Sequence, residues 1–543
     1  MAELGIELEG HGGDLALAAL RARGVDAMFT LSGGHVFPLY DAAHTTGLRL
    51  VDVRHEQSAV FAAEATAKLT RRPGLAVLTA GPGVTNGVSG VTSALFNGAP
   101  VVVLGGRAPQ LRWGSGSLQE FDHVPVLAPI TKHAATVTDV ASMAAEVGAA
   151  ADLALAPHRG PVFLDLPMDV VFARATARIT PPPPPTVLAP DPEEVSKAAA
   201  LLSGAARPVL IAGSDVYAGG AEAALVAAAE ALQIPVFSNG QGRGCIPADH
   251  PLAFARVRGK AFKAADLVVV VGTPLDFRLG FGSFGEAAVV HVVDSSSQQA
   301  GHVTPAAAPV GDLATILTAF ADYRGVRADH SSWIAELRDL EDAARAAEVD
   351  ILQADTDPIK PARIYGELRK VLDRDAVVIC DGGDFVSYGG RYLDSYTPGC
   401  WLDPGPYGCL GTGAGYAIGA RVARPSAQVC VLYGDGAAGF SLMDVESLAR
   451  QQLPVVMVVG NNGIWGLEKH PMKLVYGYDV AADLQPGLRY DDVVGALGGA
   501  GETVEKPGDL GPALRRAFDS GVPYLVNVLT DPADAYPRSA NLA

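Results

Sequence analysis

Gly434-Asp435-Gly436 follows the β-branched run 429–433 and precedes a helical pattern over 440–451. With Gly439 it also satisfies GxGxxG, the fingerprint of dinucleotide binding. That reading expects an acidic residue about 20 positions on, at the end of the next strand. The next apolar run, 455–459, ends instead in Gly460-Asn461-Asn462. An amide is a weak partner for a ribose diol but a good neutral oxygen ligand for a hard cation. Asp435 and Asn462 lie 27 residues apart, each just past a strand. They would sit side by side at the carboxyl edge of a parallel sheet, where ligands bind, beside a helix N-terminus that attracts phosphate. The pair suggests Mg2+ holding a diphosphate, since Mg2+ shares its oxygen shell with substrate phosphates. The bland alternative is a strand-to-helix turn whose glycines serve backbone geometry alone.

A second set lies near the N-terminus. Arg54-His55-Glu56-Gln57 follows the run 48–53. Position 59 is alanine, so this is not the HExxH of a zinc protease. Glu56 is either a helix-start residue on the surface or a shielded acid. Gly81-Pro82-Gly83 ends another run, 75–79, and Gly33-Gly34-His35 closes a third. Ser117-Leu118-Gln119-Glu120-Phe121 completes the set.

These residues need sheets to hold them. The chain has 543 residues, 49% hydrophobic and 18% charged, against roughly 25% charged in ordinary globular chains. That composition buries a core rather than leaving a disordered chain. At roughly 100–200 residues per domain, about three domains are expected. Mean hydropathy is +0.22, yet the longest apolar runs, such as Leu267–Val271, stay under ten residues, and a spanning helix needs about 18–20. The first ten residues are acidic and lack the apolar core of a secretory signal. A soluble cytoplasmic protein is expected, with no membrane partner. Forty-one basic against 59 acidic residues give a charge of −18, a poor footprint for nucleic acid. The five cysteines contain no CxxC pair, so buried reduced thiols are expected.

The proline run within 180–193 reads as an extended spacer, and a softer linker covers the charged, helix-prone stretch 333–348 and the segment 355–361. The expected units are 1–180, 193–330 and 356–543. Each shows short β-branched runs followed by alanine-rich helical patterns. Alternation of that kind implies parallel sheets covered on both faces. The fold class expected is α/β, with three doubly wound parallel-sheet domains.

GDGAAGF…LPVVMVVGNN resembles the thiamine diphosphate motif, which begins with GDG and ends with NN. Within that superfamily the chain is similar, over nearly its whole length, to the acetolactate synthase, 2-hydroxyacyl-CoA lyase and benzaldehyde lyase group. The resemblance implies a pyrimidine-binding first domain, a central domain and a diphosphate-binding third domain. It makes Asp435, the Asn462 side chain and the Ile464 carbonyl the metal ligands. It places Gly383, Asp384, Gly434, Gly436 and Ala437 near the diphosphate, and Gly81, Pro82 and Gly83 against the aminopyrimidine. Leu410 takes the place of a bulky residue, often methionine, that props the cofactor in a bent shape. Glu56 would hydrogen-bond the pyrimidine N1′ and serve proton transfer there. Gln119 would lie near the reacting carbon and His35 would face the substrate. Leu118, Trp465 and Leu467 would wall the substrate pocket. The cofactor would lie between subunits, so a homo-oligomer is implied, at least a dimer and in the expected form a tetramer.

Donor and acceptor divide the reading. Glu468, six residues past Asn462, could act as the base of a 2-hydroxyacyl-CoA lyase or be a solvated neighbour of Lys469. Arg278 in Asp276-Phe277-Arg278 matches an arginine that binds 2-keto-acid carboxylates, a geometry suited to guanidinium. Arg256, Arg258, Lys260 and Lys263 form a basic cluster that could meet ADP, FAD or CoA phosphates or be a solvated face. The reading placed first is cleavage of a short 2-hydroxyacyl-CoA to formyl-CoA and a carbonyl compound. Acetolactate synthesis from pyruvate comes second. An NAD enzyme and a non-catalytic nucleotide-binding relative are the remaining alternatives. The 14 residues after position 529 leave little for a C-terminal lid.

Overall fold

Leu267–Val271 is buried along its whole length, five apolar side chains in succession. Such a strand needs cover on both faces, which a parallel sheet between helix layers provides. The computed structural model describes residues 5–185, 187–325 and 327–536 and places this strand in a four-stranded parallel sheet. The order is Val236–Ser238, Pro208–Ala212, Leu267–Val271, Ala288–Val292.

Two six-stranded parallel sheets flank it in sequence. The N-terminal one runs Arg49–Asp52, Ala27–Thr30, Gly74–Leu78, Val101–Arg107, Val162–Pro167, Ala134–Thr136. The C-terminal one runs Trp401–Leu402, Val377–Asp381, Val429–Gly434, Val456–Asn461, Tyr524–Leu529, Ala500–Val504. The chain is thus three doubly wound α/β units. A short antiparallel pair, Ile6–His11 with Arg174–Ile179, was not foreseen and closes the first unit on itself.

The N- and C-terminal units share one apolar core. Helix Glu56–Thr70 lies against helix Thr412–Ala423, and two glycines one turn apart permit the approach. A Cβ on Gly415 would meet Phe61 Cβ at 2.7 Å, and one on Gly419 would meet the Ala62 carbonyl oxygen at 2.2 Å. Glu64, fully buried at this seam, accepts from Tyr416 Oη at 2.8 Å and Asn97 Nδ2 at 2.8 Å.

Two expectations are corrected. The helical pattern over 440–451 breaks into helix Asp435–Ser441, a 3-10 turn Leu442–Asp444 and helix Val445–Arg450. The break lets the Asp444 carboxylate accept from Arg54 N at 2.7 Å and Ser58 Oγ at 2.5 Å in the N-terminal unit. The helix-prone stretch 333–348 is helical as expected but is no free linker, because helix Ser331–Leu352 buries Trp333, Leu337 and Glu341. Glu341 there accepts the amide hydrogens of Ala255, Arg256 and Val257. The proline-rich spacer has no regular structure as far as Asp191, with position 186 outside the described residues. All five cysteines are free thiols, four of them buried. Among the described residues no helix is long and apolar enough to cross a membrane.

Candidate active site

Gly434 and Gly460 are register partners on adjacent parallel strands, which brings Asp435 beside the Asn461-Asn462 pair. The two asparagines then part in role. Asn461 is buried, and its Nδ2 donates to Leu488 O at 2.9 Å and Asn527 Oδ1 at 3.1 Å. Asn462 lines a cavity of about 510 Å3 at the carboxyl edge of the sheet.

That cavity gathers most of the expected C-terminal residues. Gly383, Asp384, Leu410, Gly434, Asp435, Gly436, Ala437, Asn462, Ile464, Trp465, Leu467 and Glu468 all line it, joined by Phe277 and Arg278 of the central unit. Asp435 is 3% exposed; its Oδ2 accepts from Gly463 N at 2.6 Å and its Oδ1 from Gly436 N at 3.0 Å. Burial outweighs these bonds and pushes its carboxyl up to about 6. The Asn462 side-chain oxygen accepts from Ile464 N at 3.2 Å. Gly382, at φ +96°, sits where a Cβ would meet Ala437 Cβ at 2.5 Å. A Cβ on Gly436 would meet the Trp465 ring at 2.5 Å. Bare backbone and the N-termini of helices Gly383–Tyr392 and Asp435–Ser441 therefore face the cavity together. A buried carboxylate, an amide oxygen and two helix N-termini fit a hard cation and a diphosphate.

Support for Leu410 comes from a residue the sequence reading passed over. Asp381, fully buried at the end of its strand, accepts from Gly411 N at 3.1 Å and Gly413 N at 2.8 Å. It shapes the turn that presents Leu410. Its only signal was a second acid in the CDGGD string.

The N-terminal set also assembles, away from this cavity, whose lining contains none of it. Glu56 is 7% exposed, not a surface residue, and its Oε2 accepts from Asn86 Nδ2 at 3.0 Å. Gly83 is adjacent, since a Cβ there would lie 3.8 Å from Glu56 Oε1. Gly81, at φ +60°, packs so that its Cβ would meet Gln119 Cβ at 2.9 Å. Gln119 itself holds φ +58°, a strained conformation of the kind that clusters at functional sites. Pro82 opens the short helix Pro82–Asn86. His35 is buried rather than a surface-loop histidine; its Nδ1 lies 3.3 Å from Thr79 Oγ1, and burial pushes its pKa down. Leu118 is 77% exposed and lines no part of the cavity.

The residues that bear on substrate are placed as follows. Arg278 donates from Nε and Nη2 to the Asp276 carboxylate, the shorter contact 2.6 Å, which holds the guanidinium in one plane. Lys469 pairs with Asp479 and Asp483, so it does not neutralise Glu468. The basic cluster is dispersed. The Arg256 side chain is 3% exposed and paired with Glu348 and Asp394, Arg258 donates to the Arg278 carbonyl, and Lys260 and Lys263 are exposed.

Parallel α/β units whose cavity joins two helix N-termini to a buried acid and a neighbouring amide suit a diphosphate-bearing cofactor. The chain matches the thiamine pyrophosphate enzyme N-terminal TPP binding domain over residues 10–126, the central domain over 195–320 and the C-terminal TPP binding domain over 381–528. It belongs to the thiamine pyrophosphate enzyme family and is a thiamine diphosphate-dependent enzyme. It is 52% identical over 538 residues to a probable acetolactate synthase of Mycobacterium bovis and to the acetolactate synthase large subunit IlvG of Mycobacterium tuberculosis, covering 98% of each chain. It is 33% identical over 582 residues to 2-hydroxyacyl-CoA lyase 2 of Caenorhabditis elegans, covering 96% of this chain and 90% of that one. The more similar relatives carry the synthase name, so the order of the two readings reverses.

Proposed function

We propose that this enzyme joins 2-keto acids in the manner of an acetolactate synthase, with pyruvate as donor. The observation that carries the reading is Arg278 at the cavity, its guanidinium held flat by Asp276. Among the described residues its Nη1 has no protein partner. A flat guanidinium with an open N–H recognises a carboxylate. The 52% identity to relatives named acetolactate synthase supports the same substrate class.

Bound thiamine diphosphate supplies a nucleophilic carbon that adds to a carbonyl and accommodates the negative charge that follows. The rest is the work of this chain. Asp435, the Asn462 side chain and the Ile464 carbonyl hold Mg2+. The glycine turns at 382–383 and 434–436 would receive the diphosphate, and Leu410 would support the cofactor. Glu56 holds a proton at the pyrimidine, with Gly81, Pro82 and Gly83 against the ring. Gln119 and His35 orient the reacting carbonyl. Trp465 and Leu467 exclude water.

The N-terminal set and the cavity are separate within one chain, and Leu118 of that set stands 77% exposed. We read this face as covered by a second copy of the chain, which makes the enzyme a homo-oligomer, at least a dimer.

Glu468 keeps a second reading in play. Its carboxylate lines the cavity without a partner among the described residues, as the base of a 2-hydroxyacyl-CoA lyase would. A two-substrate assay with Mg2+ and thiamine diphosphate separates the two. Acetolactate from pyruvate upholds the synthase. Formyl-CoA from 2-hydroxyisobutyryl-CoA, with no acetolactate, replaces it with the lyase.

A further inference from the structure

His123 is completely buried, and both its ring nitrogens are engaged. Nε2 lies 2.9 Å from the amide nitrogen of Gly81. Nδ1 lies 2.9 Å from Asp165 Oδ1. The backbone amide can only donate, so Nε2 must be the bare, accepting nitrogen. The proton then sits on Nδ1 and is donated to Asp165. The ring is neutral and held in one tautomer. Asp165, also fully buried, takes 2.6 Å from Arg107 Nη1 on its other oxygen. Arg107 is fixed in turn by the Trp113 ring, 3.8 Å below its guanidinium, and by Asp122 at 3.1 Å. The charge of Asp165 is compensated where it stands, and no buried polar atom of this chain of contacts is left over.

The position of His123 in the sequence gives the chain its use. His123 lies four residues after Gln119, on the same irregular segment. Gly81 stands at the other end of the contact, at the left-handed start of the Pro82–Asn86 helix. One side chain therefore ties the Gly81–Gly83 loop to the segment that presents Leu118 and Gln119. Both flanking residues have positive φ, Gly81 at +60°, which glycine adopts freely, and Gln119 at +58°, which is costly for a residue with a side chain. Backbone in that region persists only where its surroundings over-determine it. Among the described residues the His123 bond is the one side-chain bond made to the Gly81 amide, and it holds the Gly81 loop against the strained Gln119.

We infer that His123, backed by Asp165 and Arg107, is a positioning residue that sets the distance between the cofactor-facing Gly81 loop and the substrate-facing Gln119. The inference rests on the roles proposed above for Gly81 and Gln119. His123 touches neither cofactor nor substrate. It acts through the Gly81 amide, and that amide needs an acceptor at the reach of Nε2. Glutamine carries an oxygen at a comparable reach. Asparagine is one methylene shorter, and leucine has no acceptor.

The test compares His123→Gln, His123→Asn and His123→Leu in the full-length assembled enzyme. Thiamine diphosphate affinity is read by fluorescence titration with Mg2+ present. Turnover is read at saturating cofactor as kcat and as KM for the keto acid. The Asn and Leu variants are expected to lose at least tenfold in cofactor affinity and in kcat, with KM for the keto acid within threefold of wild type. The Gln variant is expected within threefold of wild type on all three. A Leu variant with wild-type affinity and kcat overturns the inference. So does a Gln variant impaired as deeply as Asn, which would make the histidine a packing residue and not an acceptor. Should the Leu variant fail to fold, the Gln–Asn comparison alone decides. The cofactor titration needs no keto acid. A protein that makes no acetolactate but shows the graded cofactor affinity therefore refutes the synthase reading and leaves the role of His123 intact.

Discussion

Asp381 accepts the Gly413 amide hydrogen at 2.8 Å, and its second oxygen takes that of Gly411 at 3.1 Å. Complete burial nevertheless pushes its carboxyl up to about 7. Its folded pKa thus lies above the unfolded value of 3.8. A raised carboxyl contributes stability that is full below the unfolded pKa and lost as pH rises through the folded one. Asp381→Asn removes this titration. The melting-temperature difference between wild type and Asp381→Asn should move against wild type as pH rises from roughly 5 to 8. A difference constant across that window would mean that Asp381 does not titrate there.

Glu56 is shielded, hydrogen-bonded by Asn86 and adjacent to Gly83. Its substitution by Gln keeps the shape and removes the acid. Turnover of any donor should fall by about 10²–10⁴-fold, the usual worth of a positioned acid or base. The thermal midpoint should stay close to wild type. Full activity in Glu56→Gln would dismiss the carboxyl from the reaction.

The helix seam between the terminal units depends on absent side chains. A Cβ on Gly419 would press to 2.2 Å on the Ala62 carbonyl oxygen, and backbone cannot swing aside as a side-chain tip can. Gly419→Ala should cost about 1–3 kcal/mol or more in urea unfolding. Gly495 is also helical but has open space around its would-be Cβ. Gly495→Ala should stabilise by about 0.4–1 kcal/mol. Equal effects at the two positions would contradict the seam.

The strands were largely legible because double-sided burial writes them as unbroken apolar runs, and Leu267–Val271 has the same ends in sequence and structure. The Asp435–Asn462 pair was legible for the same reason, since adjacent parallel strands bring their ends together. What escaped was set by partners distant in sequence. The helix pattern over 440–451 is locally sound, but Asp444 is drawn to Arg54 and Ser58 almost 400 residues earlier. Arg256 looked like a free cation because Glu348 and Asp394 are far along the chain. His123 carries no local signal, since its meaning lies in Gly81 and Asp165, each 42 residues away.

His158 lies between the N-terminal and central units, 3.5 Å from Asp215 and 3.3 Å from Asp294. Lys132 and Arg159 are the nearby cations. Burial works against charge on the His158 ring, but the two carboxylates prevail and raise its pKa above 6.5. Burial likewise raises Asp215. Both groups favour their protons more in the folded state than in the unfolded one. Their stabilisation is therefore full at low pH. The part owed to His158 is lost as pH rises from 6.5 through its folded pKa. His158→Gln removes the cation and leaves Asp215 and Asp294 facing each other. The variant should melt below wild type, with the gap widest near roughly pH 6 and narrowing towards pH 8. Thermal unfolding of both proteins at several pH values measures this directly. A gap that widens with pH would show that His158 is held neutral at the junction and that the two carboxylates are balanced by Lys132 and Arg159 instead.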